Sequence, residues 1–257
     1  MEILDILVLV FTILSGLAVA SFLNVYIYRI PNHIFFSKSR SFCPKCNHEL
    51  KWYDNIPVLS YLCLGGKCRY CKGKISPIYP FVELLNLGLW LGIFFTYKSS
   101  YILIFYYIVL STLIVMSFID IKTREIPDSV HVIILILALI SFAPVDNIMW
   151  QSKLIGAVII SVPLLIIALL TGGIGGGDIK LFFVLGLLLG VGRIAIAFFV
   201  GTVLAGLVGL IILIVMKKQG RKYELPFGPF IAIGTFVAMV AGTPIINYYT
   251  EMFSVFF

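Results

Sequence analysis

The sequence predicts an all-α polytopic membrane protein with about eight transmembrane helices and one small cytoplasmic loop domain. Three observations predict it: a large excess of apolar residues, apolar runs separated by short polar loops, and a single polar insert that carries two cysteine pairs. Hydrophobic residues make up 61% of the chain and charged residues only 12%, and the mean hydropathy is +1.08. A soluble domain carries about 25% charged residues, so this chain cannot bury its apolar surface in a water-soluble core. Long apolar runs favour a helical bundle over a barrel, whose strands would alternate with period two.

Eight spans are expected, at residues 4–28, 79–97, 101–119, 129–143, 154–171, 179–191, 194–216 and 227–247. A span needs about 20 apolar residues, so the fourth and sixth are short. The first carries acidic Glu2 and Asp5 where a signal peptide is basic, and no small-residue cleavage site follows it, so it reads as a retained span. The loops 29–78, 120–128, 172–180 and 217–224 hold 16 of the 19 basic residues, against Lys98, Lys153 and Arg193 in the opposite loops. Basic loops stay in the cytoplasm, which puts both termini outside. A net charge of +7 is also what a nucleic-acid-binding protein carries. Its confinement to one side assigns it to topology and anionic lipid headgroups instead, and no nucleic-acid partner is expected.

The polar insert contains Cys43-Pro-Lys-Cys46 and Cys68-Arg-Tyr-Cys71, separated by 21 residues. Two such pairs complete a tetrahedral tetrathiolate shell, and a closed shell of this kind holds a structural zinc ion. Metal binding would supply folding free energy that so small a core cannot. A pair of disulfides, or unrelated buried thiols, is the alternative. Gly65, Gly66 and Gly73 flank the second pair, where tight turns need them. Cys63 is left over as a free thiol, and His48 reads as surface polar.

Two aspartates sit at the edges of apolar runs, where a lone charge is costly. Asp120 closes one in Ser117-Phe118-Ile119-Asp120-Ile121-Lys122, and Asp178 follows a glycine cluster in Gly175-Gly176-Gly177-Asp178-Ile179-Lys180. Both fall at the cytoplasmic ends of spans. Two carboxylates that share a proton can activate water on a peptide carbonyl, one as base and the other as acid. The bland alternatives are a helix end for Asp120 and an N-cap for Asp178. The glycine run lets backbone approach another helix or a substrate closely, so Gly175, Gly177 and Lys180 are candidate supports of the pair. Asp128 reads as a helix cap after Pro127, Asn24 as an interhelical donor, and Gly88 as a packing glycine. His33 and His131 carry no argument.

Gly175-Gly176-Gly177-Asp178 fits the Gly-x-Gly-Asp signature of intramembrane aspartyl proteases. The chain more closely resembles bacterial type IV prepilin leader peptidases, on Ser21-Phe22-Leu23-Asn24-Val25, Tyr28-Arg29-Ile30-Pro31, the cysteine pairs, Asn55-Ile56-Pro57 and Ile75-Ser76. The likeness continues through Tyr79-Pro80-Phe81-Val82-Glu83, Ile119-Asp120, Ile126-Pro127-Asp128, Gly-Gly-Asp-Ile-Lys and Leu225-Pro226-Phe227-Gly228-Pro229. It covers nearly the whole chain, in order, with Ala20 standing where glycine often precedes the first motif.

The resemblance implies an aspartic endopeptidase of the bacterial plasma membrane, with Asp120 and Asp178 as the catalytic carboxylates. Its substrates would be type IV prepilins or pseudopilins, whose basic leader it would cut at the cytoplasmic face. It further implies N-methylation of the new N-terminus with S-adenosylmethionine as donor. Glu83 is a candidate contact for the substrate amine, with a structural role as the alternative. The expected division is a first span at 1–30, a zinc-binding, methyltransferase-associated loop at 31–78, and a seven-span peptidase domain at 79–257. Two other readings leave features unexplained: a membrane aspartyl protease of other substrates leaves the tetracysteine loop, and a non-enzymatic zinc-bearing scaffold or transporter leaves the carboxylate pair.

Overall fold

The computed structural model describes residues 3–32, 34, 41–98, 100–143, 148–216 and 224–254. Lys38, Arg40, His33 and the basic stretch 217–223 lie outside the described residues. Among those described, helices dominate and no strand forms; two isolated bridges, Phe42 with Glu49 and Lys67 with Lys74, are the sole extended pairings. The chain divides into two compact units, residues 1–103 and 104–257.

In the first unit α1 (Ile3–Arg29) packs on α3 (Ile78–Tyr97). A side chain at Gly16 would meet the Trp90 ring at 3.2 Å, so α1 is narrowest where that indole lies. Two amides bind the pair: Asn86 donates to the Gly16 carbonyl at 2.9 Å, and Asn24 to the Tyr79 carbonyl at 3.2 Å. Asn24 is therefore the interhelical donor expected of it. Gly88 is not the packing glycine expected, because among the described residues nothing lies within 4 Å of a side chain built there. Between the two helices the chain forms a 3-10 turn at Trp52–Asn55 and a short α2 at Leu59–Cys63.

The second unit comprises α4 (Ile102–Thr123), α5 (Asp128–Ile140), α6 (Trp150–Thr171), α7 (Gly176–Met216) and α8 (Gly228–Ser254). Helices α5, α6 and α8 all pack on α7. Glycines make these approaches close. A methyl at Gly186 would collide with the Gly156 carbonyl of α6, and one at Gly234 with the Ala197 carbonyl of α7. Lipid tails give no hydrophobic drive for helix association, so contact through small residues is what holds such helices together.

Helix α7 is broken at Gly190, whose φ of 72° and ψ of 174° lie outside the helical region. A side chain there would also meet Ile148 and Ser152 at 2.9 Å. The hydroxyl of Ser152 accepts the Val191 N–H at 3.1 Å, capturing a donor that the break releases. The two arms, 176–189 and 191–216, correspond to the expected sixth and seventh spans. The break falls earlier than the expected gap after 191 because Gly190 makes the turn, whereas Gly192 packs on Ile246 of α8.

Among the described residues six helices, α1, α3, α4, α6, α7 and α8, are long and apolar enough to cross a membrane. Helix α5, with 13 residues, is about 20 Å long, and the first arm of α7 is of similar length, at 1.5 Å rise per residue. Both elements are as short as expected.

Gly186→Ala is expected to destabilise the second unit by about 1–3 kcal/mol, since backbone on both sides leaves the added methyl no room. Gly88→Ala serves as the control. Thermal unfolding in detergent should give a lower midpoint for the first variant only; equal midpoints would contradict the packing described.

Candidate functional site

Three constellations carry chemistry, and the first is the cysteine cluster. The thiol sulfurs of Cys43, Cys46, Cys68 and Cys71 all lie within 4.8 Å of one another. The two knuckles repeat one backbone pattern. Cys43 N–H donates to the His48 carbonyl at 3.0 Å and Cys68 N–H to the Gly73 carbonyl at 2.8 Å. Asn47 N–H closes onto Cys43 at 2.8 Å and Lys72 N–H onto Cys68 at 3.0 Å. Asn47 and Lys72 are both left-handed, with φ of 55° and 58°, so each knuckle turns at the residue after its second cysteine.

The cysteines are free, and Cys43 and Cys71 sulfurs stand 4.0 Å apart, whereas a disulfide needs about 2 Å. Tetrahedral coordination at about 2.3 Å per Zn–S bond puts sulfurs about 3.8 Å apart, so the four fit one ion. Backbone N–H groups of Cys71 and Tyr70 lower the Cys68 thiol to about 7. Cys46 receives a similar lowering contact from His48, yet desolvation and the neighbouring thiols Cys43 and Cys71 push it up to about 11.

The flanking residues support this fold. Gly65 and Gly66 take left-handed φ of 58° and 67°. Gly73 does not; it is small because a side chain would meet Lys45 at 2.7 Å and the Cys71 sulfur at 3.3 Å. The His48 ring stacks on Tyr70, with centroids 3.6 Å apart. Desolvation works against ionising Asp54, but the Arg69 guanidinium at 2.8 Å, with Lys51 N–H and Tyr70, outweighs it and lowers the carboxyl below its usual range.

The second constellation gathers four helix ends: the C-terminus of α4 and the N-termini of α5, α7 and α8. Asp120 lies in the last turn of α4 and is only 5% exposed. Its Oδ2 accepts the Gly228 N–H at 2.8 Å. That amide opens α8, where backbone donors have no partner within the helix, so Asp120 caps a neighbouring helix across a gap of more than a hundred residues. Gly228 can do this only as glycine, since a side chain would meet Asp120 Oδ2 at 2.8 Å and the Met116 sulfur at 3.1 Å. Asp178 is the third residue of α7, half-buried, and within electrostatic reach of Asp120.

The glycine run brackets Asp178. A side chain at Gly175 would sit 3.2 Å from the Asp178 carboxylate, and one at Gly177 would meet Ile126 at 3.2 Å. Lys180 points to neither Asp120 nor Asp178 in an ion pair; it reaches Asp128 Oδ1 at 3.2 Å. Asp128 therefore differs from its expected role: Pro127 occupies the N-cap of α5 with no side-chain cap bond, and Asp128 is the first helical residue. Two further residues belong to this site: His131, of which nothing was expected, and Gly228, expected only as part of the motif Leu225-Pro226-Phe227-Gly228-Pro229. His131 is 7% exposed, and its Nε2 meets the Gly177 carbonyl at 2.9 Å. No local signal marked it, because its partner lies 46 residues away in sequence.

The third constellation lies wholly in the first unit. A cavity of about 330 Å³ opens between the last turns of α1, the cysteine loop and the start of α3. Glu83 and Asn24 line it, as do Tyr28, Arg29 and Asn55. Glu83 is 7% exposed, and its Oε2 accepts the Val58 N–H at 2.7 Å. Val58 has φ 59° and ψ −49°, and Leu59 N–H bonds back to the Pro57 carbonyl at 2.5 Å. That is a γ-turn, strained for a β-branched residue, with Glu83 holding its central amide.

Comparison with known proteins gives two family matches. Residues 14–97 match the Bacterial Peptidase A24 N-terminal domain, and residues 107–210 match the Type IV leader peptidase family. Among curated relatives, a prepilin leader peptidase/N-methyltransferase of Bacillus subtilis is 35% identical over 92% of this chain and 96% of its own length. Proteins of the same name from Neisseria gonorrhoeae, 35% identical over 88% of each chain, and Vibrio cholerae, 38% identical over 77% of this chain and 83% of its own, agree. No solved structure matches the chain.

His131→Phe removes the contact to the Gly177 carbonyl while keeping bulk. Losing a hydrogen bond worth about 1 kcal/mol should speed backbone amide exchange in residues 172–180 by roughly fivefold. Exchange measured in detergent or nanodiscs should leave α6 and the second arm of α7 unchanged; unaltered exchange in the glycine loop would show that His131 does not hold it.

Proposed function

The chain belongs to the type IV leader peptidase family, and from that premise we propose how its two activities are built. It is a bifunctional prepilin peptidase of the bacterial inner membrane: an aspartic endopeptidase that removes the leader of type IV prepilins or pseudopilins, and an N-methyltransferase acting on the new N-terminus. The observation that carries the peptidase assignment is the approach of Asp120 and Asp178. Fifty-seven residues separate them in sequence, yet they lie within electrostatic reach at one cluster of helix ends.

Asp120 and Asp178 are the catalytic pair in this reading. One carboxylate takes a proton from water as its oxygen attacks the scissile carbonyl, and the other protonates the carbonyl oxygen. Collapse then breaks the C–N bond and returns a proton to the leaving amine. The Gly228 N–H fixes one oxygen of Asp120, and Gly175 and Gly177 leave room for a substrate backbone beside Asp178. Lys180 acts indirectly, by tying the first turn of α7 to Asp128.

A prepilin carries a basic leader in the cytoplasm and an apolar helix in the membrane, so its cleavage site lies at the interface. The positive-inside bias of the loops puts the aspartates and the cysteine loop on the cytoplasmic side with both termini outside. The short α5 and the short first arm of α7 thin the bilayer locally and admit water to the pair. Cys43, Cys46, Cys68 and Cys71 hold one structural zinc ion that folds the loop 31–78, and S-adenosylmethionine is the methyl donor. The span 1–30 anchors that loop, and 79–257 houses the peptidase.

Asp120→Ala and Asp178→Ala should each lower cleavage of a purified prepilin by about 10²–10⁴-fold, read by mass spectrometry of the product; wild-type cleavage by either variant removes the dyad. Gly228→Ala should cost about 10²-fold through displacement of Asp120 alone, with the fold intact by thermal unfolding. For the loop, elemental analysis should find one zinc per chain in the wild type and none in Cys43→Ser or Cys68→Ser. Full zinc content in those variants would exclude the tetrathiolate site.

A further inference from the structure

The sequence motifs that neither the metal site nor the aspartates absorb converge on one place. Ser21, Asn24 and Arg29 come from α1, Asn55 from the 3-10 turn, and Tyr79 and Glu83 from α3, and all line the cavity of the first unit. Its volume of about 330 Å³ falls within the range of about 300–1,000 Å³ typical of small-molecule sites. Two opposite charges are buried at it: Arg29, 5% exposed, and Glu83, 7% exposed.

We propose that this cavity is the methyl-transfer site, with Arg29 receiving the carboxylate of the sulfonium donor and Glu83 receiving the new N-terminal amine of the pilin. The assignment rests on the bifunctional reading above. Arg29 suits a carboxylate because its planar guanidinium can bind both oxygens at once. Glu83 suits an amine because the Val58 N–H engages one of its oxygens at 2.7 Å, while a carboxylate offers about four lone-pair sites in all.

The γ-turn at Val58 sharpens the case. A β-branched residue at positive φ is strained and survives only where its surroundings over-determine it. Here the strained amide points into the Glu83 carboxylate and fixes its rotamer. Orientation of a reacting group to within an ångström is worth about two orders of magnitude in rate.

The donor supplies an electrophilic methyl group on sulfur. The amine first loses its ammonium proton to Glu83, and its lone pair then attacks the methyl carbon. A C–N bond forms, the C–S bond breaks, and the bonding electrons stay on sulfur, which becomes a neutral thioether.

The test uses the full chain in nanodiscs. Binding of S-adenosylhomocysteine is measured by calorimetry, methylation on a pre-cleaved pilin with a free N-terminus, and cleavage on the intact prepilin. Glu83→Gln preserves an acceptor for the Val58 N–H but takes no proton. It should bind S-adenosylhomocysteine within about twofold of wild type, retain cleavage, and methylate at least 100-fold more slowly. Arg29→Gln should weaken that binding at least tenfold. Ser60→Trp, which fills the cavity from α2, should abolish binding with zinc content retained, and so covers misfolding of the Arg29 variant. Wild-type methylation by Glu83→Gln overturns the amine assignment, and wild-type binding by both Arg29→Gln and Ser60→Trp overturns the donor site. A wild-type chain that cleaves but neither binds the thioether nor methylates defeats the bifunctional reading itself.

Discussion

Hydrocarbon offers no hydrogen-bond partner, so a chain this apolar has to satisfy within itself every polar group it carries into the membrane. That constraint organises the described structure. Where α7 breaks at Gly190, the freed Val191 amide is taken by Ser152. Where α8 begins, the Gly228 amide is taken by Asp120. Lys153, 1% exposed, donates to the Ser141 carbonyl at 2.5 Å and hydroxyl at 2.9 Å, and so closes the end of α5. Arg193 donates to Tyr106 at 2.7 Å and Thr243 at 3.0 Å, joining α7 to α4 and α8. In each of these four cases a helix end, a helix break or a cation is tied to a named partner.

The same constraint explains how function and stability become entangled in the second unit. The Asp120–Gly228 contact caps a helix, which is a structural duty, and it also fixes the orientation of a carboxylate. A neutral side chain could cap α8, and an unfixed carboxylate could ionise. Only a carboxylate anchored by one oxygen meets both requirements. The His131 contact to Gly177 has a similar logic: it restrains a loop that glycine would otherwise leave loose, so that Asp178 enters α7 from a defined position. Exposed Asp128 and Lys180 add little energy by themselves, since surface ion pairs contribute about 0–1 kcal/mol, but they tie the start of α5 to the start of α7.

Much of this was legible in the sequence because it is local. Helices follow from apolar runs and the knuckles from Cys-x-x-Cys spacing, and α7 was expected as two spans, 179–191 and 194–216. The exact break, at Gly190 and not after residue 191, depended on which of two nearby glycines faces Ser152 and which faces Ile246, a choice that tertiary packing makes. Gly228 and His131 were illegible for the same reason: their partners lie 108 and 46 residues away. Gly88 illustrates the converse, since a small residue in an apolar helix reads as packing whether or not a neighbour arrives. Asp128 misled because Pro127 already supplies the extended residue that a helix start requires.

In the first unit the cysteine loop solves a different problem, that of holding a polar segment in shape without a core. Its two knuckles repeat one backbone design at matching positions, with a left-handed residue after each second cysteine and a bridge on either flank. Cross-linked by a metal at its four sulfurs, such a loop would sustain strain beside it that an ordinary loop would relax. Val58 needs such a setting. Its γ-turn is held from one side by Glu83 on α3 and from the other by the hydrogen-bonded turns leading into α2. A metal-folded loop would therefore serve the cavity as well as itself, because the carboxylate that lines it stays oriented only while the loop presents the Val58 amide.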